Sequence, residues 1–165
     1  MSNAPTVMWV KGKSRSNASG DEKYTDVRAR ALRNRESSAA LETHYDMKVL
    51  YEFWAHFLVR NFNRNMYAEF RKYAFEDAQR NAPVGMEQLG RYYDQVLNKP
   101  RTVSDTLAAH YIELVKEEKI NIEPNGHSPA FSRLRATWRN GALDMKSRKK
   151  IDNLVDAKLK EELER

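Results

Sequence analysis

The side chains that could perform catalysis or bind a metal are few and scattered. The four histidines are His44, His56, His110 and His127. No two of them have the spacing of metal ligands with a nearby carboxylate. Glu76 and Asp77 are adjacent, and neighbouring helical residues point about 100° apart, so the two carboxylates cannot face each other as acid and base. The sequence therefore predicts no catalytic residues, no metal site, no cofactor and no enzymatic activity.

Basic and aromatic side chains could instead bind RNA. Guanidinium groups bind phosphates through paired hydrogen bonds, and exposed rings stack on unpaired bases. Several such side chains flank the apolar stripes of the predicted helices rather than lying within them. The predicted RNA-binding residues are Phe53, His56, Arg60, Arg64, Arg91, Tyr92 and Gln95.

The same residue types also have structural explanations. A charged helix face is commonly only solvated, and this explanation holds for any single arginine, including the four of the first helix. Those four are Arg28, Arg30, Arg33 and Arg35. The aromatic residues within the apolar stripes are expected in the core. They are Trp54, Phe57, Phe70 and Tyr93.

Helical periodicity supplies the elements that position these residues. Apolar residues from Met47 to Leu58 recur at i, i+3, i+4 and i+7, which is typical of an amphipathic helix. Capping residues and prolines predict the starts of further helices at Asn63, Pro83, Ser104 and Ser128-Pro129. The helix after Ser104 is expected to end before Pro124, and a final helix is expected over about 146–165, with Asp156 paired to Lys160.

A repeated pattern indicates the architecture. Leu50–Leu58 overlays Leu89–Leu97 at an offset of 39 residues, sharing a leucine, two adjacent aromatics and an apolar pair. A unit of about forty residues is the size of a HEAT-type helical hairpin. The predicted fold class is all-α, with HEAT-like helical-hairpin repeats. The predicted parts are a flexible arm over 1–22 and a single domain over 23–165, with repeats at about 24–61 and 63–100, a truncated third repeat from 104 and C-terminal helices over 129–165.

Composition suggests a polyanionic partner. Lys and Arg number 29 against 23 Asp and Glu, for a formal charge of +6. The sequence has no cysteine, and it has no apolar run approaching the roughly 18 residues of a membrane span. We therefore expect a cytoplasmic, monomeric protein with no membrane partner.

Several uncommon residue combinations resemble a known family. They are Leu50-Tyr51-Glu52-Phe53-Trp54, Asn61-Phe62-Asn63, Met66-Tyr67, Glu76-Asp77-Ala78 and Arg91-Tyr92-Tyr93. Residues 49–99 as a whole are similar, without a gap, to the C-terminal HEAT-like repeat region of La-related protein 1. The resemblance implies helical hairpins that bind the capped 5′ end and adjoining pyrimidine-rich sequence of messenger RNA, in competition with translation initiation.

The resemblance also implies a cap pocket, in which two aromatic rings enclose the methylated guanine and a carboxylate reads it. This chain has Glu52 in place of an arginine, His56 in place of a phenylalanine, Gln95 in place of a tyrosine and Asn98 in place of a glutamate, whereas Arg91 is retained. Glutamine does not stack as tyrosine does, and a neutral amide does not favour a cationic base. We therefore expect the scaffold to be kept and the cap pocket to be lost.

The predicted function is that of an RNA-binding domain of a La-related translation regulator, which contacts the 5′ region of messenger RNA through a basic helical surface. Proteins of the translation machinery are the second class of partner considered. The alternative is a helical-repeat scaffold for protein–protein interaction that has lost the cap pocket. A contiguous basic patch favours RNA, whereas an exposed apolar groove favours a protein partner.

Overall fold

The computed structural model describes residues 9–10, 22–37, 44–99, 101–120 and 128–165. Two short strands, β1 (Trp9–Val10) and β2 (Glu22–Lys23), pair in antiparallel fashion. Eight helices occupy most of the described residues. They are α1 (Tyr24–Ser37), α2 (Tyr45–Arg60), α3 (Arg64–Gln79), α4 (Val84–Leu97), α5 (Asp105–Ile120), α6 (Pro129–Arg139), α7 (Met145–Leu154) and α8 (Ala157–Glu164). The prediction of an all-α fold is confirmed.

The chain divides into two compact units, Met1–Leu89 and Gly90–Arg165. The predicted arm over 1–22 lies outside the described residues, apart from strand β1 and Glu22. The turn expected at Pro124 lies outside them as well. Within the described residues, no helix is both long enough and apolar enough to cross a membrane.

Most helix starts follow the predicted caps. The Asn63 side chain accepts a hydrogen bond from the backbone N–H of Met66 at 3.0 Å and so caps α3. Ser104 caps α5 in the same way, through the N–H of Leu107 at 3.2 Å. Pro129 occupies the first turn of α6, where its missing N–H has no cost.

The single helix expected over 146–165 is instead two helices. Val155 is extended, and the Asp156 side chain caps α8 by accepting a hydrogen bond from the N–H of Leu159 at 2.7 Å. Because Asp156 serves as a cap, it does not form the outward pair predicted with Lys160. Lys160 pairs with Asp152 at 2.9 Å.

The core of the first unit is aromatic and joins three helices. Leu50, Trp54 and Phe70 are completely buried, on the stripes that periodicity predicted. The indole N–H of Trp54 donates to the hydroxyl oxygen of Tyr24 at 3.0 Å, which ties α2 to α1. Burial raises the pKa of Tyr24 to about 12, so this hydroxyl stays neutral at physiological pH.

A buried carboxylate connects the same three helices. Asp77 of α3 is 2% exposed. It accepts hydrogen bonds from the hydroxyl of Tyr51 in α2 and from Nε of Arg35 in α1, the latter at 3.1 Å, and it also pairs with Arg80. Burial, followed by the Asp77 hydrogen bond and charge, raises the pKa of Tyr51 well above its usual value. The apolar stripe of α3 therefore ends on a charged group with several partners.

The second unit has its own core. The Tyr93 and Tyr111 rings stack at 5.4 Å between α4 and α5, and Leu134, Ile151 and Leu163 are completely buried on α6, α7 and α8. The Tyr111 hydroxyl donates to the backbone oxygen of Ala130 at 3.1 Å. Each of the three C-terminal helices thus contributes an anchoring apolar side chain to this unit.

Replacing Asp77 by Asn is expected to destabilise the first unit by about 3 kcal/mol, because the largely buried guanidinium of Arg35 loses its buried counter-charge. Glu76→Gln is the matched control. Glu76 also pairs with Arg35, at 3.3 Å, but its side chain is 45% exposed, so its loss should cost less than about 1 kcal/mol. Urea unfolding of both variants measures the difference. Equal losses would contradict the role given to the buried carboxylate.

Gly85→Ala is expected to cost about 1–3 kcal/mol through overpacking. A Cβ at Gly85 would lie 2.6 Å from Cζ of Tyr51 and 3.0 Å from Cα of Ala74, so the buried Tyr51 ring or the helix backbone must shift. Gly90→Ala, in the same helix, is the control. Its Cβ would meet only the flexible guanidinium of Arg133 at 3.4 Å, and alanine raises helix propensity. Thermal unfolding should therefore show a lowered midpoint for Gly85→Ala alone.

Candidate nucleic-acid interface

Most arginines of α1 serve the first unit internally. Arg28 pairs with Glu69 of α3 at 2.9 Å, and Arg30 pairs with Glu22 at 2.7 Å. Arg35 pairs with Asp77 and lies over the ring of Tyr73, 4.6 Å from its centroid. These three charges are compensated by carboxylates, so the structural explanation holds for them and α1 is not the centre of a cationic surface.

One flank of α2 carries three predicted site residues. Phe53, His56 and Arg60 are spaced i, i+3 and i+7, which places them on one side of the helix. His56 and Arg60 are exposed, and Phe53 is half-buried. The ring of Phe53 lies 5.1 Å from that of Phe57 and 5.3 Å from that of Tyr24. Phe57, expected in the core, is only half-buried because it lies at the edge of the apolar stripe.

The turn between α2 and α3 presents an aromatic ring between two arginines. Phe62 is 53% exposed, and its ring packs on that of Tyr67 at 5.6 Å. Arg60 and Arg64 lie two residues to either side, and both are exposed. Neither forms an ion pair with any residue in the described ranges. Within five residues, the turn therefore presents to solvent two guanidinium groups without ion pairs to the described residues and one aromatic ring that packs on Tyr67.

Sequence reasoning missed Phe62 because it considered only residues beside the apolar stripes of helices. A signal was present. Phe62 directly precedes the Asn63 cap, and a large apolar residue just before a cap lies outside the helical pattern. A residue at this position can pack on the following helix, and the Phe62 ring does so against Tyr67 while about half of its surface stays exposed.

In the second unit, α4 exposes two predicted site residues and buries one. Arg91 and Gln95 are one turn apart and exposed. Tyr92 is completely buried, so its predicted place on a ligand-facing surface is wrong. Tyr92 lies beside Tyr93, with ring centroids 5.7 Å apart, and burial raises its pKa above the usual value. Tyr92 and Tyr93 follow the buried Leu89 at i+3 and i+4, so the helical spacing itself places both adjacent tyrosines on the buried face of α4.

The end of α4 is occupied by hydrogen bonds to α6. The Asn98 amide donates to the backbone oxygen of Asp94 at 2.7 Å and to the hydroxyl of Thr137 at 3.3 Å. Thr137 in turn donates to the Asp94 carboxylate at 3.4 Å. Burial raises the pKa of Asp94, and the charge of Arg133 opposes that rise. Asn98 therefore acts as an internal connection between the two helices.

Metal ligands do not converge in the part of the chain that the structure describes, where no group of three His, Asp or Glu side chains is arranged to hold an ion.

Near the start of α8, a cavity of about 410 Å³ is lined by Lys116, Lys119, Lys158, Asp156 and Glu162, among others. Lys119 pairs with Glu162, and its ammonium lies over the ring of Phe131 at 4.0 Å. Among the charged groups around this cavity, Lys119 is therefore held by Glu162, and Asp156 serves as the cap of α8.

Comparison with known protein families agrees with these features. Residues 13–123 match the family described as LARP1 HEAT repeat region. The match covers two-thirds of the chain and extends from the segment before α1 to just beyond α5, so it contains the α2 flank, the Phe62 turn and α4. Helices α6, α7 and α8 follow it. Over this span, the chain belongs to the family of the LARP1 HEAT repeat region.

Proposed function

We propose that this domain binds single-stranded RNA, as part of a La-related regulator that contacts the 5′ region of messenger RNA. The observation that carries the proposal is the α2–α3 turn, where the exposed ring of Phe62 lies between two arginines without partners in the described residues. Membership of the LARP1 HEAT repeat region supports the same assignment. The setting proposed for this activity is the cytoplasm, with the domain acting as a monomer.

The chemistry of the turn suits an unpaired strand. A guanidinium group can donate two parallel hydrogen bonds to one phosphate. A phenylalanine ring stacks on any base, and such stacking is largely indifferent to sequence. Phe53 and His56 continue the surface along α2, so a strand leaving the turn has further rings to contact. The surface therefore combines backbone attraction with stacking, which is the usual basis of single-strand binding.

Cap recognition is not part of the proposal. Enclosing a methylated, positively charged guanine requires aromatic faces and a nearby carboxylate. The positions implied by the family resemblance carry Gln95, which has no ring, and Asn98, which is neutral and hydrogen-bonded to Asp94 and Thr137. Binding should depend on the RNA strand rather than on the cap.

A protein-interaction scaffold receives less support. In the described residues, the exposed large apolar side chains are Tyr45, Phe62 and Met145. Tyr45 and Phe62 flank opposite ends of α2, about 24 Å apart by helical rise. Met145 belongs to the other unit. Within the first unit, two apolar side chains so far apart do not form the continuous groove that a partner helix needs.

The first test removes the two arginines of the turn. A fluorescently labelled pyrimidine-rich RNA is titrated with the whole chain and with R60Q/R64Q, and anisotropy is read over a series of salt concentrations. Each phosphate contact on a single strand contributes about 0.7 to the slope of log K against log salt. The double variant should therefore bind more weakly, with a slope shallower by about 1.4.

R33Q/K48Q is the matched control for this experiment, because Arg33 and Lys48 are exposed in the same unit and the variant loses the same charge. Lys48 lies about 120° around α2 from Arg60. The control should keep the slope of the unmodified chain. If the unmodified chain binds no RNA at low salt, or if both variants behave alike, the proposed surface is wrong. A methylated cap on the same RNA should change the affinity less than threefold.

Phe62→Ala separates stacking from stability. Because Phe62 is half-exposed, its loss should cost less than about 1 kcal/mol of unfolding free energy, whereas Phe70→Ala in the core should cost about 3–5 kcal/mol. A stacked base contributes about 1–3 kcal/mol, so Phe62→Ala should weaken RNA binding about tenfold or more. Phe62→Trp keeps an aromatic ring at this position and should bind RNA about as tightly as the unmodified chain. Unchanged affinity in a folded Phe62→Ala variant would remove the ring from the interface.

A further inference from the structure

The positive charge of the chain is concentrated outside the family match. Residues 13–123 contain 18 basic and 17 acidic residues, which nearly cancel. Residues 129–154, which form α6, α7 and the turn between them, contain seven basic and two acidic residues. This short segment therefore carries a net +5 of the formal +6. A polyanion would meet most of the net charge on these two helices.

Helix α7 begins with an unusual run of cations. Four of its first six residues are basic, namely Lys146, Arg148, Lys149 and Lys150. The start of a helix is the positive end of its dipole, where acidic residues are normally favoured and basic ones are unfavourable. The Asp144 cap supplies one negative charge at this helix start, but no acidic residue occurs in the first turn of α7 to offset the other cations. Helix stability does not explain this arrangement.

Two of the four cations have structural roles. Arg148 lies 3.9 Å from the ring centroid of Trp138 and donates to its backbone oxygen at 2.9 Å. Lys150 pairs with Asp105 and donates to the backbone oxygen of Val103, both at 2.9 Å. The other two, Lys146 and Lys149, are exposed and form no ion pair within the described parts of the chain.

A third exposed cation, Arg101, lies next to a segment that is hydrogen-bonded to the start of α7. Lys146, Lys149 and Lys150 share one side of α7, and Lys150 reaches the segment just before α5. That segment is fastened to the start of α7 by two hydrogen bonds, from Thr102 to Asp144 and from the N–H of Val103 to Ser147, both 2.9 Å long. Arg101 precedes Thr102 and is exposed. The fold thus brings three exposed cations, Arg101, Lys146 and Lys149, to one edge of the second unit, where the carboxylate of Asp144 offsets part of the charge of Lys146.

We propose that Arg101, Lys146 and Lys149 form a second RNA-contacting surface, which binds the phosphates of a single strand. This inference rests on the proposed RNA-binding function and adds a site in helices that the family match does not reach. Charge complementarity favours a phosphate backbone as the occupant. The exposed large side chain nearest in sequence is Met145, which is not aromatic, so the surface attracts the backbone and does not stack on bases.

The test is the anisotropy titration of the whole chain with the same RNA, using K146Q/K149Q. The variant should bind several-fold more weakly at low salt, with a salt slope shallower by about 1.4, and adding R101Q should bring that change to about 2. Glutamine at these positions also removes unfavourable charge from a helix start, so the thermal midpoint should not fall. K116Q/K158Q is the matched control, since both lysines are exposed in the second unit and lie away from this edge.

The outcomes separate this inference from the proposed function. No RNA binding by the unmodified chain overturns both. RNA binding that R60Q/R64Q weakens and K146Q/K149Q leaves unchanged overturns the second surface alone. Equal weakening by K146Q/K149Q and K116Q/K158Q shows an effect of total charge and also overturns it. If K146Q/K149Q loses binding to phosphatidylserine vesicles that the unmodified chain binds, and RNA binding is unchanged, the surface is assigned to a membrane and the inference is overturned.

Discussion

The buried carboxylate of Asp77 is the interaction on which the first unit depends. Its partners come from α1, α2 and the end of α3, so one charge orients all three helices. A carboxyl group at 2% exposure is tolerated only with such partners, because burial without them is costly. The arrangement also explains why Arg35 cannot serve a ligand. Its guanidinium is held between Asp77 and the ring of Tyr73.

Ion pairs within the first unit occupy some of its arginines and leave others free to contact a ligand. Arg28, Arg30 and Arg35 are consumed by carboxylates within the first unit. Arg60 and Arg64 are placed by a different constraint, since they flank the turn that Asn63 closes by capping α3. A cap of this kind holds the turn in one conformation, and Phe62 is held on Tyr67 beside it. The shape of the candidate RNA surface is therefore set by local contacts, and no ion pair of Arg60 or Arg64 holds helices together in the described residues.

Local patterns were sufficient to predict the helices, most of their starts and most of the core, because periodicity and caps depend on residues within a few positions of one another. They failed in two ways, because some local signals were overlooked and because contacts between distant residues cannot be deduced from spacing. The break at Val155 could be recognised only by treating Asp156 as a cap, although the surrounding sequence is continuous with one helix. The same holds for Tyr92, whose i+3 spacing from the buried Leu89 already favours burial over an exposed position. By contrast, only the folded chain reveals which α1 arginines meet carboxylates some 40 residues away.

The same packing constraints separate the positions that are fixed by the fold from those that are free to vary. The positions that bury side chains, such as Trp54 and Leu89, are constrained by close packing. The exposed positions of α4 carry no such constraint, and Gln95 there costs the fold nothing. Asn98 differs from Gln95 because its amide donates to the backbone oxygen of Asp94 and to the hydroxyl of Thr137, and these hydrogen bonds help connect α6 to α4. Asn98 therefore supports α6, which is the first helix of the most basic segment of the chain.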